Sequence, residues 1–113
     1  MIKIYHNNRC GKSRDALSFL KESGKDFELI NYLENTPSVE ELTALIAQLN
    51  IKPFDLIRKT ESIYKENFKG KNLRDAEWIE VMVQNPILIE RPIVVVDGKA
   101  VIARPTERIL EIL

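Results

Sequence analysis

The chain has one cysteine and one histidine, and both fall in a single short stretch, "HNNRCGKSR", from His6 to Arg14. A lone thiol limits the chemistry available. A Cys-x-x-Cys redox pair would need cysteine at position 13, which is Ser13. The closing Gly-Lys-Ser suggests a phosphate-binding P-loop, but that pattern requires glycine at position 6, where His6 stands. A Cys-x5-Arg phosphatase loop fails too, because position 16 is Ala16. One cysteine and one histidine fall short of the usual four zinc ligands, so no metal site is expected. What remains is a single activated thiol that cannot form an internal disulfide.

The neighbours of Cys10 favour that reading over a small buried hydrophobe. Arg9, Lys12, Arg14 and His6 are expected to add positive potential, and a helix starting at Gly11 or Lys12 would aim free N–H groups at the sulfur. Ser13 could donate a hydrogen bond to a thiolate. Elsewhere, Arg58 in "LIRKT" and the dipeptides Arg91-Pro92 and Arg104-Pro105 stand out. Any one of these arginines could be a solvated surface charge. Together around one thiol, their planar donor forks would bind a tetrahedral oxyanion.

These residues need elements to hold them. "IKIY" alternates with Ile2 and Ile4 on one face, which predicts a first strand. Ala16, Leu17 and Leu20 recur at helical spacing up to Ser23, with Gly24 as the stop, and "FELINY" reads as a second strand. Ser38 and Glu41 form a capping box ahead of a helix carrying Leu42, Leu45, Ile46 and Leu49. Residues 53–85 look helical in pieces, with a loop at 67–72. "PIVVVDGKAVIAR" predicts a hairpin turning at Asp97-Gly98, and Pro105-Thr106 opens a last short helix. The order is β-α-β, a helical block, then β-β-α. The expectation is one α/β domain over 1–113 with a mixed sheet and a helical insertion at about 37–86.

Composition narrows the partners. Apolar residues make up 44% and charged residues 30%, with 17 basic and 17 acidic side chains, so no global field favours nucleic acid or a membrane surface. No apolar run approaches the ~18 residues of a spanning helix, and no leader-like segment opens the sequence. A cytoplasmic setting is expected for an unpaired thiol.

"IYHNNRCGKSR", "LIRKT", "NPILIERPIVV" and "ARPTE", in this order, resemble the glutaredoxin-coupled arsenate reductase (ArsC) family over essentially the whole chain. The resemblance implies a thioredoxin-like fold with a helical insertion. It implies that Cys10 attacks arsenate and that Arg58, Arg91 and Arg104 hold the oxyanion. His6 matches the family histidine near the thiol, and Pro92 matches the cis-proline before the third strand. Gly11, Ser13 and Arg14 complete the supporting loop. No bound cofactor is implied. Glutathione serves as co-substrate, attacking the arseno-thiol, and glutaredoxin removes the mixed disulfide as arsenite leaves. The loop departs from the better-known reductases at Asn8-Arg9, where they have a proline and a small residue, and at Lys12, where threonine is common. The chain also ends at Leu113, before the tail of the longer reductases. The alternatives are a glutathione-dependent thiol reductase of unknown substrate and a non-catalytic regulator that binds RNA polymerase.

Overall fold

A computed structural model describes residues 1–113. They form two compact units, one made of residues 1–35 and 91–113, the other of residues 36–90.

In the first unit, β1 (Ile2–His6), α1 (Gly11–Glu22) and β2 (Phe27–Asn31) are followed, after the helical segment, by β3 (Ile93–Val96) and β4 (Lys99–Ile102). The sheet order is β2-β1-β3-β4. β1 and β2 are parallel, which requires a crossover, and α1 supplies it. β3 runs antiparallel to both β1 and β4. Ile2 and Ile4 point from β1 into a core with Ala16 and Leu20 of α1, Val94 and Val96 of β3, and Ile109. The hairpin turn has Asp97 at φ 48° and Gly98 at φ 83°. Two positive φ values suit the primed turns that match strand twist, and glycine takes the second without a Cβ clash.

The sequence predicts a last helix after Pro105, and the structure forms a 3₁₀ helix over Thr106–Glu111 instead of an α-helix. Its bonds run three residues back, from Arg108 N–H to Pro105 O and from Ile112 N–H to Ile109 O. A segment this short gains few i→i−4 bonds, and burying Ile109 is enough to fix it.

The second unit holds α2 (Val39–Leu49), α3 (Ser62–Asn67) and α4 (Asp75–Gln84), with 3₁₀ turns at Pro53–Leu56 and Pro86–Leu88. The Ser38–Glu41 capping box forms as predicted. Leu42, Leu45 and Ile46 are buried from α2 and Met82 from α4. Trp78 sits against Phe54 with ring centroids 5.1 Å apart, joined by Tyr64 and Phe68. A single bridge between Ile57 and Ile89 ties the segments just after the two 3₁₀ turns, a pairing too short to carry a sequence signal. No helix is long and apolar enough to cross a membrane.

Candidate active site

Sheet register brings distant residues to Cys10. Tyr5 of β1 pairs with Ile93, so the loop leaving β1 runs out beside the residues that precede β3, Arg91 and Pro92. Ile93 in turn pairs with Ile102, and the hairpin continues beyond it with Ala103 N–H bonded to Pro92 O at 2.9 Å. Arg91 and Arg104 therefore flank one another at the end of the sheet where the Cys10 loop emerges. The Arg104 Nε–H donates to the Arg91 carbonyl at 2.7 Å, and its Nη2 donates to Cys10 Sγ at 3.4 Å. Both Arg91-Pro92 and Arg104-Pro105 are cis.

The loop itself is fixed by Asn7, a buried residue to which the sequence alone assigned no role. Its carbonyl accepts the Cys10 N–H at 3.0 Å, its side-chain Oδ1 accepts the Arg9 N–H at 3.0 Å, and its own N–H donates to Ser13 Oγ at 3.3 Å. An asparagine that accepts from a backbone N–H two residues on is a common turn device, and that spacing was the available signal. The Arg14 guanidinium closes the other side by donating to the Asn8 carbonyl at 3.2 Å. Arg14 thus braces the loop. Gly11 is exposed with an ordinary φ, and a Cβ there would meet only Arg14 Nη2 at 3.8 Å, so its smallness is not demanded by space.

Cys10 is the N-cap of α1, with no side-chain cap and no acidic residue in the first turn. The first-turn N–H groups are left for the sulfur or an anion. Burial pushes the Cys10 thiol up, but four donors outweigh it: the Ser13 N–H, the Arg104 and Arg91 guanidiniums and the Lys12 N–H. The net result is a pKa of about 7. Ser13 acts through its backbone, while its buried hydroxyl serves Asn7.

His6 departs from expectation. It is 5% exposed, and burial lowers its pKa; the Ser13 backbone opposes this, while Arg14 and Lys21 lower it further. A buried imidazole beside cations stays neutral near neutral pH, so His6 does not supply the positive potential expected of it. The guanidiniums that reach the sulfur are those of Arg104 and Arg91, which are distant from Cys10 in sequence.

Arg58 belongs to the second unit. Its backbone N–H donates to Leu88 O at 2.7 Å, and its guanidinium lies 3.3 Å from Glu61. Its buried Nε has no hydrogen bond of good geometry. This leaves donor capacity on Arg58 without defining its ligand. The residues contain no cluster of three or more His, Cys, Asp or Glu side chains that could hold a metal ion.

An activated thiol at a helix N-terminus, flanked by two guanidiniums from a β-hairpin, is a specific arrangement. The sequence profile of the ArsC family matches residues 5–112. The chain belongs to the ArsC family. Its relatives include the uncharacterised protein YfgD of Escherichia coli (strain K12), 46% identical across 99% of this chain and 96% of that protein. The arsenate reductase of Acidiphilium multivorum is 43% identical across 99% of this chain and 80% of that protein. Among solved structures, the arsenate reductase from Vibrio cholerae is 45% identical, with a TM-score of 0.94 over 99% of this chain and 97% of the other. The thioredoxin-like β-α-β/β-β arrangement with an intervening helical segment is thus the ArsC fold.

Proposed function

We propose that this ArsC protein is an arsenate reductase in which the Cys10 thiolate is the nucleophile. The observation that carries this reading is the contact of Arg104 with Cys10 Sγ at 3.4 Å, with Arg91 donating to the same sulfur. Donors that stabilise a thiolate at rest are placed to take the oxygens of an anion that the sulfur attacks. The arsenate reductases among its relatives support arsenate as that anion. Arg58 enters on the resemblance of "LIRKT" and is assigned a share of oxyanion binding.

In the first step Cys10 sulfur bonds to arsenic, and one arsenate oxygen leaves as water after taking up protons. Arginine donors offset the charge on the remaining oxygens. A glutathione thiolate then attacks Cys10 sulfur. The new S–S bond forms as the S–As bond breaks, and its electron pair stays on arsenic. Each sulfur gives up one electron, arsenic passes from As(V) to As(III), and arsenite is released. Because Ser13 replaces a second cysteine, the mixed disulfide must be reduced from outside, a task assigned to glutaredoxin. Glutathione is a co-substrate here, no bound cofactor is required, and a reducing cytoplasm is the setting that keeps Cys10 a thiol.

The test is NADPH consumption coupled through glutathione reductase, with arsenate, glutathione and glutaredoxin supplied together and each withheld in turn. Turnover should require all three and vanish in Cys10→Ser. A second reading, a glutathione-dependent reductase acting on another substrate, is motivated by the departures of the thiol loop at Asn8-Arg9 and Lys12. Removal of glutathione from a mixed-disulfide substrate without arsenate turnover would select it.

A further inference from the structure

In the second unit the turn Arg58-Lys59-Thr60-Glu61 sets two ions side by side. The Glu61 N–H donates to the Arg58 carbonyl at 3.2 Å, which closes the turn and brings its first and last side chains together. The backbone on either side of Arg58 is pinned. Ile57 bridges Ile89, the Arg58 N–H donates to Leu88 O at 2.7 Å, and the Glu90 N–H donates to Leu56 O at 2.9 Å. Lys59 is committed elsewhere, its Nζ donating to the Phe54 carbonyl at 3.0 Å and lying 4.2 Å from the centre of the Phe54 ring. The Arg58 guanidinium meets Glu61, with Nε 3.3 Å from Oε1 and the two side chains 23% and 25% exposed. This pair is incomplete in two respects. Arg58 Nε is buried and makes no hydrogen bond of good geometry, so the attraction is mainly Coulombic. Glu61 is the N-cap of α3, yet its carboxylate caps none of the free N–H groups of that helix.

We propose that Glu61 is a positioning residue for Arg58, a resident counterion that the guanidinium exchanges for the oxyanion. The inference rests on the share of oxyanion binding assigned to Arg58. A guanidinium taken largely out of water needs a compensating charge whether or not an anion is bound. The proposed reaction takes up an anion and releases arsenous acid, which is uncharged near neutral pH, so the anion's compensation is lost in every cycle. Glu61 supplies it between turnovers. The loose pairing suits that exchange. A bidentate pair with both donors satisfied would hold the guanidinium against an incoming anion, whereas an oxyanion can give Nε the well-aligned acceptor that Glu61 does not. Glu61 therefore lowers the resting affinity for oxyanions in general, sulfate included.

The test uses sulfate as the anion, so it does not depend on arsenate turnover. The sulfate concentration that half-protects Cys10 from iodoacetamide is measured for the parent, Glu61→Gln, Arg58→Gln and the double variant. Glu61→Gln keeps the shape of the side chain and removes its charge. It should tighten sulfate binding by about 2–5-fold, the range expected of a partly exposed ion pair. A tighter site is an outcome that structural damage does not produce. In the Arg58→Gln background the same substitution should lose its effect, because the carboxylate then has no guanidinium to release. Unchanged or weaker sulfate binding in Glu61→Gln would overturn the proposal. So would equal tightening in both backgrounds, which reports a diffuse change in charge. Failure of the underlying reading looks different: Arg58→Gln alone would then bind sulfate as the parent does, and the proposal would fall with it.

Discussion

Replacing Arg104 by alanine removes the Nη2 donor to Cys10 Sγ at 3.4 Å and the Nε donor to the Arg91 carbonyl at 2.7 Å. A hydrogen bond to a charged group contributes about 1.5–3 kcal/mol. At 1.36 kcal/mol per pKa unit this corresponds to roughly 1–2 units. The thiol pKa of about 7 should therefore rise to ~8–9 in the variant. Near pH 7 the thiolate fraction falls from about a half to roughly 1–10%. Intrinsic nucleophilicity rises with pKa, with a Brønsted slope of ~0.4–0.5, and returns part of the loss. The net drop in iodoacetamide alkylation near pH 7 is then only ~2–8-fold, while in strongly alkaline solution the variant should react faster than the parent. The crossing of the two pH–rate curves is the signature. It separates a lost thiolate stabiliser from simple loss of access, which would lower the whole curve. A variant whose midpoint stays at that of the parent would refute the role given to Arg104.

Three further outcomes follow from particular contacts. Asn7→Ala removes the acceptor of the Arg9 N–H and should cost ~1 kcal/mol in denaturant unfolding and raise the thiol midpoint, whereas Asn7→Asp, which keeps the acceptor, should recover most of the stability. Burial holds the folded His6 pKa below the ordinary imidazole value of 6.5, so on acidification below that value the unfolded state takes up its proton first; stability should fall as pH falls there, and a His6→Gln variant should lose that component of the slope. Ser38→Ala opens the capping box of α2 and should lower stability by about 1 kcal/mol, read as a shift of the denaturation midpoint with an unchanged slope.

Much of the fold was legible because local patterns and tertiary packing agree. Ile2 and Ile4 alternate as a strand with one buried face requires, Ser38 and Glu41 form the predicted box, and Asp97-Gly98 takes the positive φ pair that its composition favours. The last helix was misjudged in type, because propensity does not distinguish a six-residue 3₁₀ turn from an α-helix when burial of Ile109 decides. At the site, Cys10 was legible from its singularity, and Arg91 and Arg104 from their prolines and the family resemblance. The source of the thiol's electrostatics was not. Sequence proximity suggested Arg9, Arg14 and His6, but Arg14 is turned to the Asn8 carbonyl and His6 is buried. The register Tyr5–Ile93–Ile102 selects the arginines that reach the sulfur, and register is a property of the folded sheet.

The most direct test of the central claim is protection of Cys10 from alkylation by an oxyanion. Sulfate, which Cys10 does not need to reduce, and arsenate should each slow iodoacetamide modification in a saturable manner. Loss of the Arg91 guanidinium should weaken that protection by about 10–150-fold, the equivalent of one charged hydrogen-bond donor. Alkylation that proceeds at the same rate at every arsenate and sulfate concentration would contradict the account, because the thiol and its arginines would then not form an anion site.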